Sequence, residues 1–226
     1  KVLRNEKVGN SLMKSLVLSA LICLICLSLA FSQNNEDESQ KLIRQMAVFY
    51  QQGKLNEAIP LAEKIIKLER EKKSPNQQNL ITSLENLSQL KSERFKQTMA
   101  ELVSPDLKPD KIKSLLEKMR KDGDENEVIF REALMLAGKN PNIPKEQIIG
   151  LKNNFAWFLY KYFPNQANFP IGFEKQSKEQ FDSLNKTQFY ERINEAEKLY
   201  AEALKNSETN FGNDNDITLL SLYNFA

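Results

Sequence analysis

Leu55–Ser88 reads LNEAIPLAEKIIKLEREKKSPNQQNLITSLENLS, and this stretch decides the fold because the chain contains it twice. It returns without a gap at Ile193–Ala226 as INEAEKLYAEALKNSETNFGNDNDITLLSLYNFA, at an offset of 138 residues throughout. A duplication of this length indicates a repeat architecture, in which each unit packs on its neighbours. Eight of the 34 aligned pairs are identical: Asn56/Asn194, Glu57/Glu195, Ala58/Ala196, Leu61/Leu199, Lys67/Lys205, Ser83/Ser221, Leu84/Leu222 and Asn86/Asn224.

Each copy has the pattern of a helix, a polar loop and a second helix. Apolar residues recur at i, i+3, i+4, i+7 and i+8 from Ala58 in the first copy and from Ala196 in the second, which marks one face of a helix. Pro75 and Gly212 then punctuate a polar stretch in each copy. A second amphipathic segment follows, beginning at Leu80 in the first copy. The pattern predicts an all-α protein built from helix pairs.

These segments resemble the tetratricopeptide repeat, in the long form found in kinesin light chains and in many bacterial proteins. NEAIPLAEKII and NEAEKLYAEAL resemble the second helix of that repeat, with Ala58 and Ala196 at its small positions. Gly53 stands five residues before Ala58, at the position of the turn glycine between the two helices. The Asn-Leu-Ala signature of the first helix is matched at Asn86–Ser88, Asn154–Trp157 and Asn224–Ala226.

The resemblance implies a right-handed superhelical solenoid of antiparallel helix pairs over residues 41–226. It covers both ends of this region and leaves residues 93–150 without a clean motif. The spacing from Ala58 to Asn86 is 28 residues, eight more than in a repeat of about 34 residues. The second copy stops on the third residue of its signature, so the resemblance implies an incomplete repeat at the carboxyl end.

The resemblance also implies a binding site, because the first helices of such pairs line a concave groove. Trp and Tyr side chains are common anchors in protein interfaces. For Trp157 a place in the apolar core is the competing interpretation. The groove positions, counted from Phe155 and Leu87 as signature residues, are Glu85, Gln89, Asn153, Trp157, Tyr160 and Lys161.

The amino-terminal segment has the shape of a signal peptide over residues 1–32. Leu16–Phe31, LVLSALICLICLSLAF, is an apolar core that follows Lys14 and precedes a polar, acidic run, and Met13 offers an alternative start. The core is short for a membrane span, which needs about 20 residues. We expect a secreted or periplasmic protein with a polar linker at residues 33–40 and no membrane insertion after cleavage. An uncleaved amino-terminal anchor is the alternative.

Composition excludes several classes of function. Four basic residues and one acidic residue lie in the first 32 positions, which leaves 28 basic and 29 acidic residues, and this balance argues against nucleic-acid binding. The chain has no histidine, and its two cysteines, Cys23 and Cys26, lie in the apolar segment. No glycine-rich phosphate loop is present. We therefore expect no cofactor, no metal and no enzymatic activity, with a carboxylate-based hydrolase as the minor alternative.

Helical periodicity and breakers give the expected element boundaries. Gly123 and Pro164 each end a helix in this interpretation, and Asp122–Glu127 forms a solvated turn with a helix cap. The phenylalanine-containing stretch 163–185 is irregular and either packs on its neighbours or covers the groove. The expected helices, four antiparallel pairs and one unpaired helix, are Lys41–Gln52, Leu55–Lys72, Leu80–Leu90, Phe95–Val103, Lys111–Lys121, Glu127–Ala137, Glu146–Tyr162, Lys186–Ser207 and Ile217–Ala226.

The functional expectation is a non-enzymatic interaction module that binds a protein or peptide in the groove. The alternative is a structural or assembly subunit of the cell envelope that uses its outer face and ends. We expect the carboxyl-terminal segment to be a frayed or adhesive end, because no partner helix follows it in this sequence. Another chain would complete it by self-association, or further residues of a longer protein would do so. The residues expected to remain uncovered there are Leu219, Leu220, Leu222 and Phe225.

Overall fold

The computed structural model describes residues 38–73, 75–102, 104, 106–167 and 175–225, and within residues 162–189 and at 225 it describes the backbone alone. The regular structure in these described residues is entirely α-helical, which confirms the all-α prediction. The signal-like segment lies outside them. The helices are α1 (Glu38–Gln51), α2 (Leu55–Glu71), α3 (Gln77–Leu102), α4 (Pro109–Lys139), α5 (Lys145–Ala167), α6 (Lys175–Phe211) and α7 (Asp216–Phe225).

A left-handed glycine ends α1, as predicted. Gly53 has φ +70°, its N–H donates to Tyr50 at 2.9 Å, and the N–H of Lys54 donates to Phe49 at 2.9 Å. These two hydrogen bonds satisfy carbonyls that the end of a helix leaves unpaired. The turn that forms them requires a residue that tolerates positive φ. The tight turn sets α2 antiparallel to α1. Helix α1 begins at Glu38, so the predicted linker 33–40 is too long by three residues.

Replacing Gly53 with alanine is expected to destabilise the protein by about 1–2 kcal/mol, because a Cβ is strained in the left-handed region. The matched control is Gly138→Ala near the end of α4, where an added Cβ meets nothing within 4 Å. Helical alanine there is expected to add about 0.5–1 kcal/mol. Urea unfolding of both variants measures the difference, and an equal loss of stability at the two glycines would contradict this account of the turn.

Helices α3 and α4 are longer than predicted, and each replaces two expected helices. The sequence predicts an antiparallel pair over residues 80–90 and 95–103, yet α3 runs unbroken to Leu102. Gly123 was expected to stop a helix, but it is buried inside α4. A helical glycine costs only about 1 kcal/mol relative to alanine, so the packing of Asp122 and Asn126 on α3 outweighs it. The predicted solvated turn at residues 122–127 is therefore wrong.

The stretch expected to be irregular is largely helical in the described backbone. Helix α5 continues past Pro164 to Ala167, and α6 begins at Lys175, so only residues 168–174 fall outside the description. Residues 175–185, KQSKEQFDSLN, contain many good helix formers, which favours the helix found there. Pro170 and Gly172 lie outside the described residues. The side chains of the phenylalanines in this stretch lie outside the described residues.

Consecutive helices pair antiparallel, as the contacts of α3 with α4 show. Along α3 from Ser88 to Arg94, the contacted residue of α4 moves backwards from Asn126 to Asp122. Lys91 lies between them and donates to Glu125 at 2.6 Å. Antiparallel packing of neighbours in sequence is the outcome expected of short connections.

The odd-numbered helices, which we call the odd row, also contact one another and run parallel. Gln147 of α5 donates to Thr82 of α3 at 3.1 Å and to Glu85 at 3.2 Å. Further along both helices, the Lys96 ammonium of α3 lies 4.5 Å from the ring centroid of Trp157. The contacts follow the same order along α3 and α5, so these two helices point in the same direction.

The even-numbered helices form an even row with the same property. Hydrogen bonds between α2 and α4 join residues 62 apart in sequence, and those between α4 and α6 join residues 64 or 65 apart. A nearly constant spacing in sequence means that each helix pair is displaced from the preceding helix pair by a similar distance. The bonded pairs are Asn56/Lys118, Arg70/Glu132, Glu127/Arg192 and Arg131/Glu195.

Two apolar clusters hold the rows together. The first joins α1, α2 and the start of α3 to the end of α4, and Ile65, Ile81 and Leu84 are almost fully buried in it. The second joins the later part of α3 to α4, α5 and α6 around Phe130 and Phe155. Each fully buried aliphatic or aromatic side chain contributes about 1.5–3 kcal/mol, so these clusters dominate the stability of the fold.

Candidate functional site

The first part of the candidate site joins α1 to α3. The side chain of Gln89 hydrogen-bonds the hydroxyl of Tyr50, and both residues are partly exposed. Burial raises the pKa of the Tyr50 phenol, and the nearby charge of Glu93 raises it further. The predicted groove residue Gln89 thus lies on a surface that extends over two helices of the odd row.

The second part joins α3 to α5 around Trp157. The Trp157 side chain packs against the second apolar cluster and remains partly exposed, so the groove and core interpretations both describe part of it. Lys96 lies over the ring and donates to Glu93 at 2.7 Å. A cation held over an indole contributes about 0.5–1 kcal/mol at an exposed position. Trp157 therefore lies between the apolar cluster and a lysine.

Tyr160 and Lys161 are the most accessible of the predicted groove residues. Tyr160 is 48% exposed, and the ammonium of Lys161 lies 5.2 Å from its ring centroid. Tyr160 also approaches Tyr200 of α6, whose phenol pKa is raised mainly by burial. One turn of helix separates Tyr160 from Trp157, which places the two aromatic side chains on the same side of α5.

Asn153 does not belong to an open surface. Its side chain is 6% exposed and donates to the hydroxyl of Ser221 at 3.0 Å. The resemblance places position 153 on the groove, but the next helix of the odd row, α7, covers it. Asn153 therefore joins α5 to α7, and its burial leaves it unable to contact a ligand in the predicted groove.

Glu85 is the predicted groove residue with the most unusual surroundings. Its carboxylate accepts the hydrogen bond from Gln147, and its Oε1 atom lies 4.0 Å from the point where a Cβ on Gly150 would stand. Burial raises the pKa of this carboxyl to about 7, and the hydrogen bond from Gln147 opposes that rise. Near neutral pH the group therefore exists in both protonation states.

Replacing Glu85 with glutamine is expected to stabilise the protein above pH 7 by about 1–3 kcal/mol. The raised pKa means that wild-type stability falls as pH rises from 4.5 to about 7, because the charged form must be buried. Glutamine keeps the acceptor for Gln147 and has no charge, so this fall should disappear. Urea unfolding across that pH range measures it. Glu93→Gln, which removes a carboxylate paired with Lys96, serves as control, and the same gain in both variants would contradict the assignment.

The odd-row face, as we call this surface, contains residues that the sequence interpretation missed. The sequence predicts Lys96 on a separate partner helix, whereas the unbroken α3 places it eleven residues, or three turns, beyond Glu85. The spacing i, i+4, i+11 from Glu85 through Gln89 to Lys96 was the available signal. The face consists of Tyr50, Glu85, Gln89, Glu93, Lys96, Trp157, Tyr160 and Lys161.

Comparisons and searches for other kinds of site add three findings. Within the described residues, no group of three or more acidic, Cys or His side chains is arranged to hold a metal ion. No helix of the described part combines the length and apolar character needed to cross a membrane. No protein-family model matches the chain, and no curated protein matches it at a significant level. The resemblance to the tetratricopeptide repeat therefore remains a proposal.

Proposed function

We propose that the protein is a non-enzymatic interaction module that binds a peptide or a partner protein on the odd-row face. The observation that carries this proposal is the pairing of Trp157 and Tyr160 on one side of α5, partly exposed and each approached by a lysine. Oriented aromatic side chains surrounded by polar groups are the usual composition of protein-binding surfaces.

We also propose that the two rows form a superhelical solenoid of the tetratricopeptide type. Two features support this. The Asn-Leu-Ala-like signatures at residues 86–88 and 154–156 both fall in the odd row, and the NEA segments at 56–58 and 194–196 both fall in the even row. Parallel helices within each row, with antiparallel neighbours, are the arrangement that such stacking requires. In a solenoid of this kind the odd-row face would be concave.

Site-specific photo-cross-linking tests the binding proposal. A benzophenone amino acid is placed at Tyr160 on the odd-row face or at Met135 on α4, which is also half exposed. In extract of the source cells, a discrete adduct is expected from position 160 and not from position 135. Trp157→Ala should weaken the adduct at position 160. The same adducts at both positions, or none at position 160, would contradict the proposal.

Export is part of the proposed function and rests on the sequence alone. The apolar stretch at residues 16–31, with small residues at Ala30 and Ser32, favours cleavage after residue 32 and a secreted or periplasmic location. Amino-terminal sequencing of the protein from its source tests this. A first residue near Gln33 supports export with cleavage, and retention of residues 16–31 supports the anchored alternative.

A second candidate function, assembly through α7, is favoured by an exposed apolar surface. Leu219 and Leu222 are 49% and 48% exposed, whereas the equivalent Ile81 and Leu84 of the first copy are 0% and 1% exposed. In the first copy, these positions belong to an apolar cluster that includes the end of α4. Sedimentation at increasing concentration tests assembly: Leu222→Asp should abolish self-association and Val128→Asp, on exposed α4 surface, should not. A protein that stays monomeric at all concentrations would exclude self-assembly.

A further inference from the structure

We propose that the carboxylate of Glu85 binds an arginine or lysine side chain of the partner, an inference that rests on the peptide-binding function proposed above. Glu85 is partly exposed, and its hydrogen-bond partner in the described residues is the neutral amide of Gln147. Thr82, bonded to the same amide, is also uncharged. A partly buried carboxylate without a cation is costly, and binding a cation removes that cost.

The other acidic group of the odd-row face does not share this property. Glu93 forms an ion pair with Lys96 at 2.7 Å, so its charge is already balanced. Lys152, further along α5, is engaged elsewhere, since it donates to Glu202 of α6 at 2.6 Å. Glu85 is therefore the position on this face where an added positive charge gains the most electrostatic stabilisation. An arginine suits it because a guanidinium can donate two parallel hydrogen bonds to one carboxylate.

One oxygen of the Glu85 carboxylate faces a glycine of α5 and has no hydrogen bond from the described residues. Gly150 presents no side chain over Oε1, and a Cβ there would make ordinary van der Waals contact with it. Gln147 holds Oε2 and leaves Oε1 without a hydrogen bond from the described residues. A guanidinium or ammonium group bound at Oε1 would keep the carboxyl ionised near neutral pH, where otherwise it exists in both protonation states.

The geometry of α3 gives the expected register of the partner. The ammonium of Lys96 lies over the ring of Trp157. Lys96 is eleven residues beyond Glu85, which is roughly 16 Å along the helix axis at about 1.5 Å per residue. An extended peptide covers this distance in about five residues. The partner is therefore expected to present a basic residue about five positions from the residue that contacts Trp157.

The direct test uses two small probes that differ in charge. N-acetyl-argininamide carries the guanidinium, and N-acetyl-citrullinamide has nearly the same shape without charge. Titration of the protein by NMR, followed at the Gln147 side-chain amide, should show about tenfold tighter binding of the arginine compound at about pH 8. The preference should fall severalfold at about pH 6, where the carboxyl takes up a proton.

Variants decide whether Glu85 is responsible. Glu85→Gln should abolish the preference, and Glu132→Gln, which changes a carboxylate of α4 outside the odd-row face, should retain it. Equal binding of the two probes, or a preference that survives in Glu85→Gln, would overturn the inference. Peptide display on the wild-type protein and on both variants then separates the inference about Glu85 from the proposed peptide-binding function. Enriched peptides without a basic residue leave peptide binding intact and remove the role of Glu85, whereas failure to enrich any peptide counts against the proposed function itself.

Discussion

Replacing Asp122 with alanine is expected to destabilise the protein by about 3–5 kcal/mol, the cost of leaving one partner of a buried ion pair alone. Asp122 accepts two hydrogen bonds from the guanidinium of Arg94, and the side chains are 7% and 14% exposed. The variant leaves Arg94 charged between α3 and α4 with no carboxylate. Urea unfolding measures the loss.

An exposed ion pair of the same chemistry is the matched control. Arg70 donates to both carboxylate oxygens of Glu132 at 2.7 Å, but these side chains are 50% and 29% exposed. Glu132→Ala is therefore expected to cost no more than about 1 kcal/mol. A double replacement, Arg94→Met with Asp122→Leu, should recover most of the stability lost in Asp122→Ala. Equal losses for Asp122→Ala and Glu132→Ala would contradict the buried pair.

Replacing Phe130 with alanine is expected to cost about 3–5 kcal/mol, because it removes a fully buried aromatic side chain and leaves a cavity. Phe130 is 2% exposed and stacks on Phe155 with ring centroids 5.2 Å apart. Its ring also meets Phe158 at 5.6 Å, so it connects the even row to the odd row. Thermal and urea unfolding measure the effect.

The control for this prediction stands two residues away on the same helix. Val128 is 65% exposed, and Val128→Ala is expected to change stability by no more than about 0.5 kcal/mol. Phe130→Leu, which keeps much of the volume, should cost less than Phe130→Ala. A small loss for Phe130→Ala, comparable to that for Val128→Ala, would show that the two rows are not joined through this residue.

The parts of the fold that follow from local rules were predictable. The start of α2 at Leu55 is correct, and its end differs by one residue, because a glycine with positive φ precedes a clear apolar stripe. Gly123 misled the prediction, since the cost of a helical glycine is local and visible in the sequence. The contacts that outweigh this cost come from Arg94 and Ser88 of another helix, and the local sequence does not show them.

The candidate site was predictable to a similar degree. The signature at residues 154–157 placed Trp157 and Tyr160 on the correct row, because both follow from helical spacing alone. The position of Asn153 depends on α7, a helix almost 70 residues later, so no local pattern could show that it is buried. The lack of a nearby cation at Glu85 depends likewise on which residues of α5 lie opposite, and in the described residues these are Gln147 and Gly150.

Hydrogen exchange, measured with and without the partner that cross-links at Tyr160, tests most directly whether the odd-row face is the binding surface. Binding is expected to slow amide exchange in residues 85–96 of α3 and 154–161 of α5, and to leave residues 127–135 of α4 unchanged. Protection confined to α4, or to α7 at residues 216–225, with no change in α3 and α5, would contradict the account.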